Sequence, residues 1–395
     1  MIKEDVFVKK LIIILISVML MFSGCTTTEQ QSTSPYTVID SVLGGRTVGD
    51  GCVYERIRHT DGSQAIGVID ISSNTKKLLN EETVLGNVGD SYGDIFYANG
   101  YLYRVLDIDH YQEIEQFTAD GKFVKELIIN NDTEFWIDRY RTPVITDGKK
   151  IYFDGKVYHD RWDGNEAILS FDPETKTMEA VYEITEGSFM IAGVYGDCFI
   201  LNSYIPNPYP EVDSDYIPAV ELLNMKTFER EVLFENIYDG EYIRSNWTQL
   251  DDERIFATYN IRELPVYNIR TREKSTLPVY NEGDGYHYAF LVAQPEDNHM
   301  MVWTSSEDYT KHSYYMYNLK NGKKTSSYEG VVPEKKYPTV CEYLDGYYLV
   351  SIGMEDITAS SGKVVHENKY AWIKAEDLYN GEMNLEYITN TVEYK

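Results

Sequence analysis

The chain has 395 residues, 64 acidic against 36 basic side chains and a formal charge of −28. Such an acidic surface repels nucleic acid and anionic lipid headgroups, so neither is an expected partner, while cationic ligands are drawn to it. Length alone allows two or three domains, and the hydrophobic fraction of 43%, with 35 tyrosines, is ample for a large core.

At the N-terminus, Lys3, Lys9 and Lys10 precede an apolar run of twelve residues, Leu11–Phe22. A bilayer crossing needs roughly 20 apolar residues, so the run is too short to span and has the length of a secretory core. It ends in Phe22-Ser23-Gly24-Cys25, which resembles the bacterial lipobox. The resemblance implies a signal peptide over 1–24 and a diacylglycerol on the Cys25 thiol. Residues 25–35 then comprise the lipidated cysteine and a flexible polar tether. A lipid-anchored protein takes its attachment from acyl chains and needs no spanning helix. An ordinary secretion signal with a chance cysteine is the alternative.

From residue 36 onward one pattern repeats. Short alternating strands run into tight polar turns at Asp50-Gly51, Asn99-Gly100, Asp147-Gly148, Gly196-Asp197, Asp251-Asp252, Pro295–Asn298 and Asp345-Gly346. The turns lie roughly fifty residues apart, the signature of stacked supersecondary units. A second series interleaves with them: Ile69-Asp70, Phe171-Asp172, Leu223-Asn224, Tyr267-Asn268 and Tyr317-Asn318 each end an apolar strand in Asp or Asn. Ala119-Asp120-Gly121 and Asp377–Gly381 are looser members. A short Asx side chain bonds the backbone two residues ahead and so starts a turn, which explains these residues better than metal ligation.

Each unit therefore holds two hairpins. Strand alternation is visible in Met178, Ala180, Tyr182 and Ile184, with Glu179 and Glu183 opposite. Seven units of four antiparallel strands are the plan of an all-β, seven-bladed β-propeller over residues 36–395. Six or eight blades stay open, because the fourth unit's insertion blurs the phase. The extra strand-like run Tyr36–Leu43 either pairs with the last blade to close the ring or leads into the first. Cys52 and Cys341 fall in the first and last units, so either a ring-closing disulfide or buried free thiols are expected there, with Cys198 remote from both.

In such a ring the tight turns share one face and the longer connections converge on the other, where a rigid scaffold displays binding residues. The longer candidates within units are Asp107–Glu113, Tyr158–Glu166, Tyr204–Pro218, Ser305–Ser313 and Met354–Lys369; between units they are Asn130–Pro143 and Tyr280–Tyr288. The densest cluster is Tyr158-His159-Asp160-Arg161-Trp162, whose rings offer stacking faces and whose polar groups could orient a small ligand or sugar. Tyr204, Tyr209 and Tyr216 alternate with Pro206, Pro208 and Pro210 as a rigid aromatic lip, and Tyr309 and His312 add a ring and an imidazole on a later loop. Trp136, Arg139 and Arg141 form an aromatic–basic group suited to gripping a carboxylate or to pairing with neighbouring acids. Each of these groups is equally readable as an ordered surface loop.

No metalloprotease, nucleophile-elbow or phosphate-loop pattern occurs, no zinc spacing links the cysteines, and no cofactor is implied. Asp160, Asp163 and Glu166 have acidic spacing loosely like a calcium loop, with too few matching ligands.

The recurrent turn-then-aromatic pieces Asn99-Gly100-Tyr101-Leu102-Tyr103, Asp147-Gly148-Lys149-Lys150-Ile151-Tyr152 and Asp345-Gly346-Tyr347-Tyr348, together with Gly24-Cys25, resemble extracytoplasmic bacterial propeller lipoproteins of the broad TolB-like and YWTD-like kind. That resemblance implies a membrane-anchored binding or scaffold module at the cell envelope, with an envelope protein, peptide or glycan as partner. An envelope hydrolase or lyase acting on glycans or peptides at the channel mouth is the second reading.

Overall fold

The structure is a computed structural model. It describes residues 34–395 apart from 41–45, 80–93, 109–110, 130–134, 139–142, 160–163, 210–211, 213, 239–240, 243–246, 258–262, 279–287, 294–298, 307–310, 319–321 and 332–338. Cys25, residues 1–24 and most of the tether lie outside the described residues, as do the Pro295–Asn298 turn, Arg139 and Arg141.

Among the described residues, seven sheets of four or more strands follow one another along the chain, antiparallel but for one added strand, with a two-stranded hairpin of Ile237–Tyr238 and Glu241–Tyr242 after the fourth. Blade 1 runs from the inside out as Arg46–Gly49, Cys52–Arg58, Gln64–Asp70 and Thr75–Leu78. Blade 2 is Asp94–Ala98, Tyr101–Ile108, Tyr111–Thr118 and Phe123–Ile129. In blade 3 the inner position is shared by Phe135–Ile137 and Val144–Thr146, followed by Ile151–Tyr158, Gly164–Asp172 and Thr177–Glu183. Blade 4 is Ser188–Tyr195, Cys198–Pro206, Tyr216–Asn224 and Arg230–Glu235. Blades 5 and 6 follow the same plan from Trp247–Gln249 to Glu273–Pro278 and from Tyr288–Ala293 to Lys324–Val331. Blade 7 is Thr339–Leu344, Tyr347–Thr358, Val364–Lys374 and Glu386–Tyr387.

The two turn series behave as their chemistry demands. Asp50-Gly51, Asn99-Gly100 and Asp345-Gly346 each put two successive residues at positive φ, the twist that a two-residue hairpin needs. In the second series Asp172 Oδ1 accepts the Glu174 N–H at 2.8 Å, and Asn224 Oδ1 accepts the Lys226 N–H at 2.9 Å. Asp377 belongs to no such turn: Ala375–Asn380 is a short helix that ends in a left-handed Gly381. Two expected loops are also hairpins of strand. Asp107–Glu113 lies largely within Tyr101–Ile108 and Tyr111–Thr118, and Met354–Lys369 lies largely within two long strands of blade 7.

Apolar side chains fill the seams between blades rather than a common centre. Phe96, Tyr103, Phe153 and Leu169 pack between blades 2 and 3; Ile145, Phe189, Phe199 and Leu201 between blades 3 and 4; Val53, Leu349 and Trp372 between blades 1 and 7. Many tyrosines serve this packing, among them the buried Tyr54, Tyr103, Tyr317 and Tyr348.

Both ends of the propeller, Thr37–Asp40 and Thr389–Asn390, are stitched to blades they do not adjoin in sequence. Thr37–Asp40 pairs with Val144–Thr146 on the channel side of blade 3, and Tyr36 meets Tyr152 and Phe199 edge-on at 5.7 and 5.0 Å. Of the two readings of this run, closing the ring on the last blade or leading into the first, closure does not hold: it pairs with the third blade, and its apolar residues fill the blade 2–3 and 3–4 seams, with Val38 and Ile39 packed there. Closure comes from the C-terminus: Thr389–Asn390 adds in parallel to Thr75–Leu78 of blade 1. Cys52, Cys198 and Cys341 are free and half-buried. Cys341 packs at the seam of blades 1 and 7, whereas Cys52 packs at that of blades 1 and 2, so the disulfide reading does not hold.

Candidate functional site

The second strand of blade 3 reads Ile-Tyr-Phe-Asp-Gly-Lys-Val-Tyr over Ile151–Tyr158. Aspartate is depleted in strand interiors, yet Asp154 sits there with 3% of its surface exposed. Its Oδ2 accepts the backbone N–H of Ile191, on the inner strand of blade 4, at 2.7 Å. Its Oδ1 has no partner. Burial, then the nearby charges of Asp138 and Glu166, push this carboxyl well above the ordinary carboxylate range, against the opposing Ile191 N–H. The protonated, neutral form is favoured as a result.

Gly155 determines what stands beside it. A Cβ there would lie 2.4 Å from Leu169 Cδ1 and 2.5 Å from the Trp136 carbonyl oxygen. Glycine thus lets Phe135–Ile137 pair against Lys156 and its neighbours. That pairing sets Asp138 next to the site, where its N–H donates to the Asp154 carbonyl at 2.9 Å. On the other side Glu166 lies opposite Lys156 in register, with Nζ and Oε1 3.2 Å apart. Burial raises the Glu166 carboxyl, and Lys156 opposes that rise.

Blade 4 supplies the facing wall. Asp138, Asp154 and Glu166 line a cleft of about 250 Å³ together with Phe189, Met190, Asn202, Ser203 and Tyr204. The cleft lies towards the long-loop face, where Ser188 and Tyr204 pair near the ends of their strands. Asn202 is fixed by exchanging hydrogen bonds with the backbone of Trp247 at 2.8 and 2.9 Å. Ser203 is buried, and its Oγ has no partner. Buried polar atoms are nearly always paired, and Asp154 Oδ1 and Ser203 Oγ are two unpartnered ones on residues that line the same cleft. Its volume is just below the roughly 300–1,000 Å³ of drug-sized pockets, which suits a small molecule or one unit of a larger one. Among the described residues, no three of His, Cys, Asp or Glu are grouped as ligands for a metal ion.

Of the residues singled out in the sequence, Tyr158 ends the strand that carries Asp154 and is half-buried, its ring covering Gly164. His159 is exposed, with Nε2 2.6 Å from Glu183 Oε1. Tyr209 is exposed and donates to Glu235 Oε1 at 2.6 Å. His312 lies in blade 6, its backbone opposite Ser305 and Gly330. Arg161, Trp162 and Tyr309 lie outside the described residues. Tyr204 of the aromatic lip does line the cleft. Sequence reasoning missed Asp154, Asp138 and Ser203; the signal for the first was a carboxylate set between apolar strand residues.

Comparison with known proteins gives a fold. No family model matches the chain, and no curated protein matches it. Among solved structures, oligogalacturonate lyase from Vibrio parahaemolyticus aligns at 12% identity with a TM-score of 0.46, covering 86% of this chain and 85% of that one. TolB from Acinetobacter baumannii aligns at 12% identity with a TM-score of 0.38, covering 70% and 63%. Prolyl oligopeptidase B from Galerina marginata aligns at 10% identity with a TM-score of 0.50, covering 87% of this chain and 49% of that one. At these identities the likeness concerns propeller architecture alone.

Proposed function

We propose that this chain is a lipid-anchored protein of the extracytoplasmic side of a membrane, held through Cys25, whose propeller is a binding module with the cleft between blades 3 and 4 as its ligand site. The observation that carries the binding role is the buried Asp154, whose Oδ1 lacks a partner in a cleft shared with the orphaned Ser203 Oγ. The anchor is supported by the basic start, the short apolar run and Phe22-Ser23-Gly24-Cys25. Partners at the envelope are a protein, a peptide or a glycan.

A second reading, a hydrolase or lyase acting on glycans or peptides, draws on the same residue. A carboxyl kept protonated beside another acid is poised for general acid catalysis. The acids meet on the seam between blades 3 and 4, with Asp138 directly after the inner strand Phe135–Ile137.

One experiment separates the two. The acylated full-length chain is incubated with envelope glycan and peptide fragments; native mass spectrometry reads retained ligand and chromatography reads products. Retention without new products, lost in Asp154→Asn, supports the binding module. Product formation abolished by Asp154→Asn replaces it with the enzyme. Equal retention by both proteins removes the cleft from the function. Labelled palmitate should enter the wild type and not Cys25→Ser.

A further inference from the structure

The ring closes on a buried imidazole that the binding reading leaves unused. His59 directly follows the strand Cys52–Arg58 of blade 1 and is 3% exposed. Its Nδ1 accepts the Lys395 N–H at 3.1 Å, which places the proton of the neutral ring on Nε2. That Nε2 is buried and has no partner. Further bonds hold the segment Val392–Lys395 at the same spot. The Thr60 N–H donates to the Lys395 oxygen at 2.8 Å, and the Ser360 N–H of the blade 7 hairpin donates to the Tyr394 carbonyl at 2.9 Å. Val392 and Tyr394 pack with Ile57 and Ala65 of blade 1 and Ala359 of blade 7. The Tyr394 ring meets the imidazole edge-on at 6.1 Å. Four residues thus bridge both blades, with His59 as one of their anchors.

We infer that this contact is an acid-opened latch: protonation of His59 expels Val392–Lys395 from the seam of blades 1 and 7. The added proton goes to Nδ1, so two donors then face each other and the Lys395 bond is lost. The new charge is buried, and Nε2 has no acceptor to compensate it. Burial holds the imidazole below its ordinary value; Asp61 opposes this and Lys395 adds to it. The Ser63 hydroxyl and N–H, at 2.6 and 2.9 Å, hold the Asp61 carboxyl below the ordinary carboxylate range. Burial pushes the Tyr394 phenol up to about 12, and Lys76 beside it is paired with Glu55 and Glu367. Arg58 and Glu393 are the other charged groups on the two segments, and Lys363 reaches over from blade 7 to donate to the Thr60 carbonyl at 3.4 Å. Release returns His59 to its ordinary pKa of roughly 6.5. Below that value the open form binds a proton that the closed form refuses, so the latch weakens as pH falls and is firm above about pH 7.

The test is hydrogen exchange read by mass spectrometry on the full-length chain, at about pH 5 and about pH 7.5, with rates corrected for the intrinsic pH dependence of amide exchange. Peptides containing Thr60, Ser360 and Lys395 should exchange about 3- to 10-fold faster in acid, the factor that one lost hydrogen bond gives, while blade 4 peptides keep their rate. His59→Asn puts a non-titrating acceptor near the Nδ1 position and should exchange alike at both pH values. Carbon-13 histidine NMR of the wild type should show one imidazole, absent from His59→Asn, that titrates below roughly 6.5. Equal protection at the two pH values overturns the inference. So does an acid response that persists in His59→Asn, or a His59 signal titrating at or above roughly 6.5. Should His59→Asn not fold, His59→Gln assigns the signal, and the wild-type exchange contrast and titration decide.

Discussion

Replacing Lys76 with methionine should cost about 3–5 kcal/mol of stability, the range measured when one member of a buried ion pair is removed. Lys76 is fully buried on the outer strand of blade 1, with Nζ 2.5 Å from Glu55 Oε1 and 2.9 Å from Glu367 Oε2. Glu367 belongs to blade 7, and Tyr370 of the same blade donates to Glu55 Oε2 at 2.9 Å. One ammonium thus fastens the two blades between which the ring closes. Burial pulls the lysine towards its neutral form, but the Glu55 and Glu367 charges outweigh that and hold it above the ordinary range. A base raised in the folded state contributes fully below its unfolded pKa of roughly 10.4, so measurement at pH 7 reads the whole effect. Methionine keeps the apolar stem and removes the charge, which strands Glu55 at 5% exposure. The loss is a large share of the roughly 5–15 kcal/mol that folded proteins possess. Adding Glu55→Gln removes the stranded charge and keeps an acceptor for Tyr370, so the double variant should recover about half the loss. Guanidinium unfolding followed by tryptophan fluorescence suits the purpose, since Trp372 is buried in this seam. A single variant within about 1 kcal/mol of wild type, or a double variant no more stable than the single, refutes the reasoning.

Two further outcomes are expected. Gly155→Ala forces a methyl group into Leu169 and the Trp136 carbonyl, which should cost about 1–3 kcal/mol in the same unfolding assay; a change under about 0.5 kcal/mol would show that the inner strand of blade 3 yields freely. Glu113 is pushed up to about 7 from 4.5 by burial first, then by Glu115 and Glu126. Between those pH values the folded chain keeps a proton that the unfolded chain has released, so stability falls as pH rises through the window. Glu113→Gln should flatten that decline and be the more stable protein at pH 8; parallel stability–pH curves for variant and wild type would exclude the assignment.

The ring itself was legible because its chemistry is local. Asp50-Gly51, Asp172 and Asn224 make turns with atoms only a few residues away, and their spacing counts the blades. Pairings that reach across the ring were not legible. Thr37–Asp40 reads as a strand, but nothing in it selects Val144–Thr146 over another inner edge. The same holds for the cleft: Asp154 stands out in its own strand, whereas Phe189 and Ser203 join it only when blade 4 packs on blade 3. Met354–Lys369 reads as a loop because polar residues dominate it, whereas Met354–Thr358 and Val364–Asn368 pair as strands and Ala359 packs with Ile57 and Ala65 of blade 1.

The pairing of Thr37–Asp40 with blade 3 and of Thr389–Asn390 with blade 1 sets an order on assembly. A polypeptide emerging N-terminus first carries its channel strand before blade 3 exists to receive it. The edge of blade 1 is covered only once residues 389–391 have emerged, since Thr391 bonds Lys76 across 315 residues. Contacts of such range are slow to form. A nascent chain stalled or clipped before Thr389 would display the outer edge of blade 1 as an open template for other strands. Residues 389–391 thus decide whether that edge is covered or stands open.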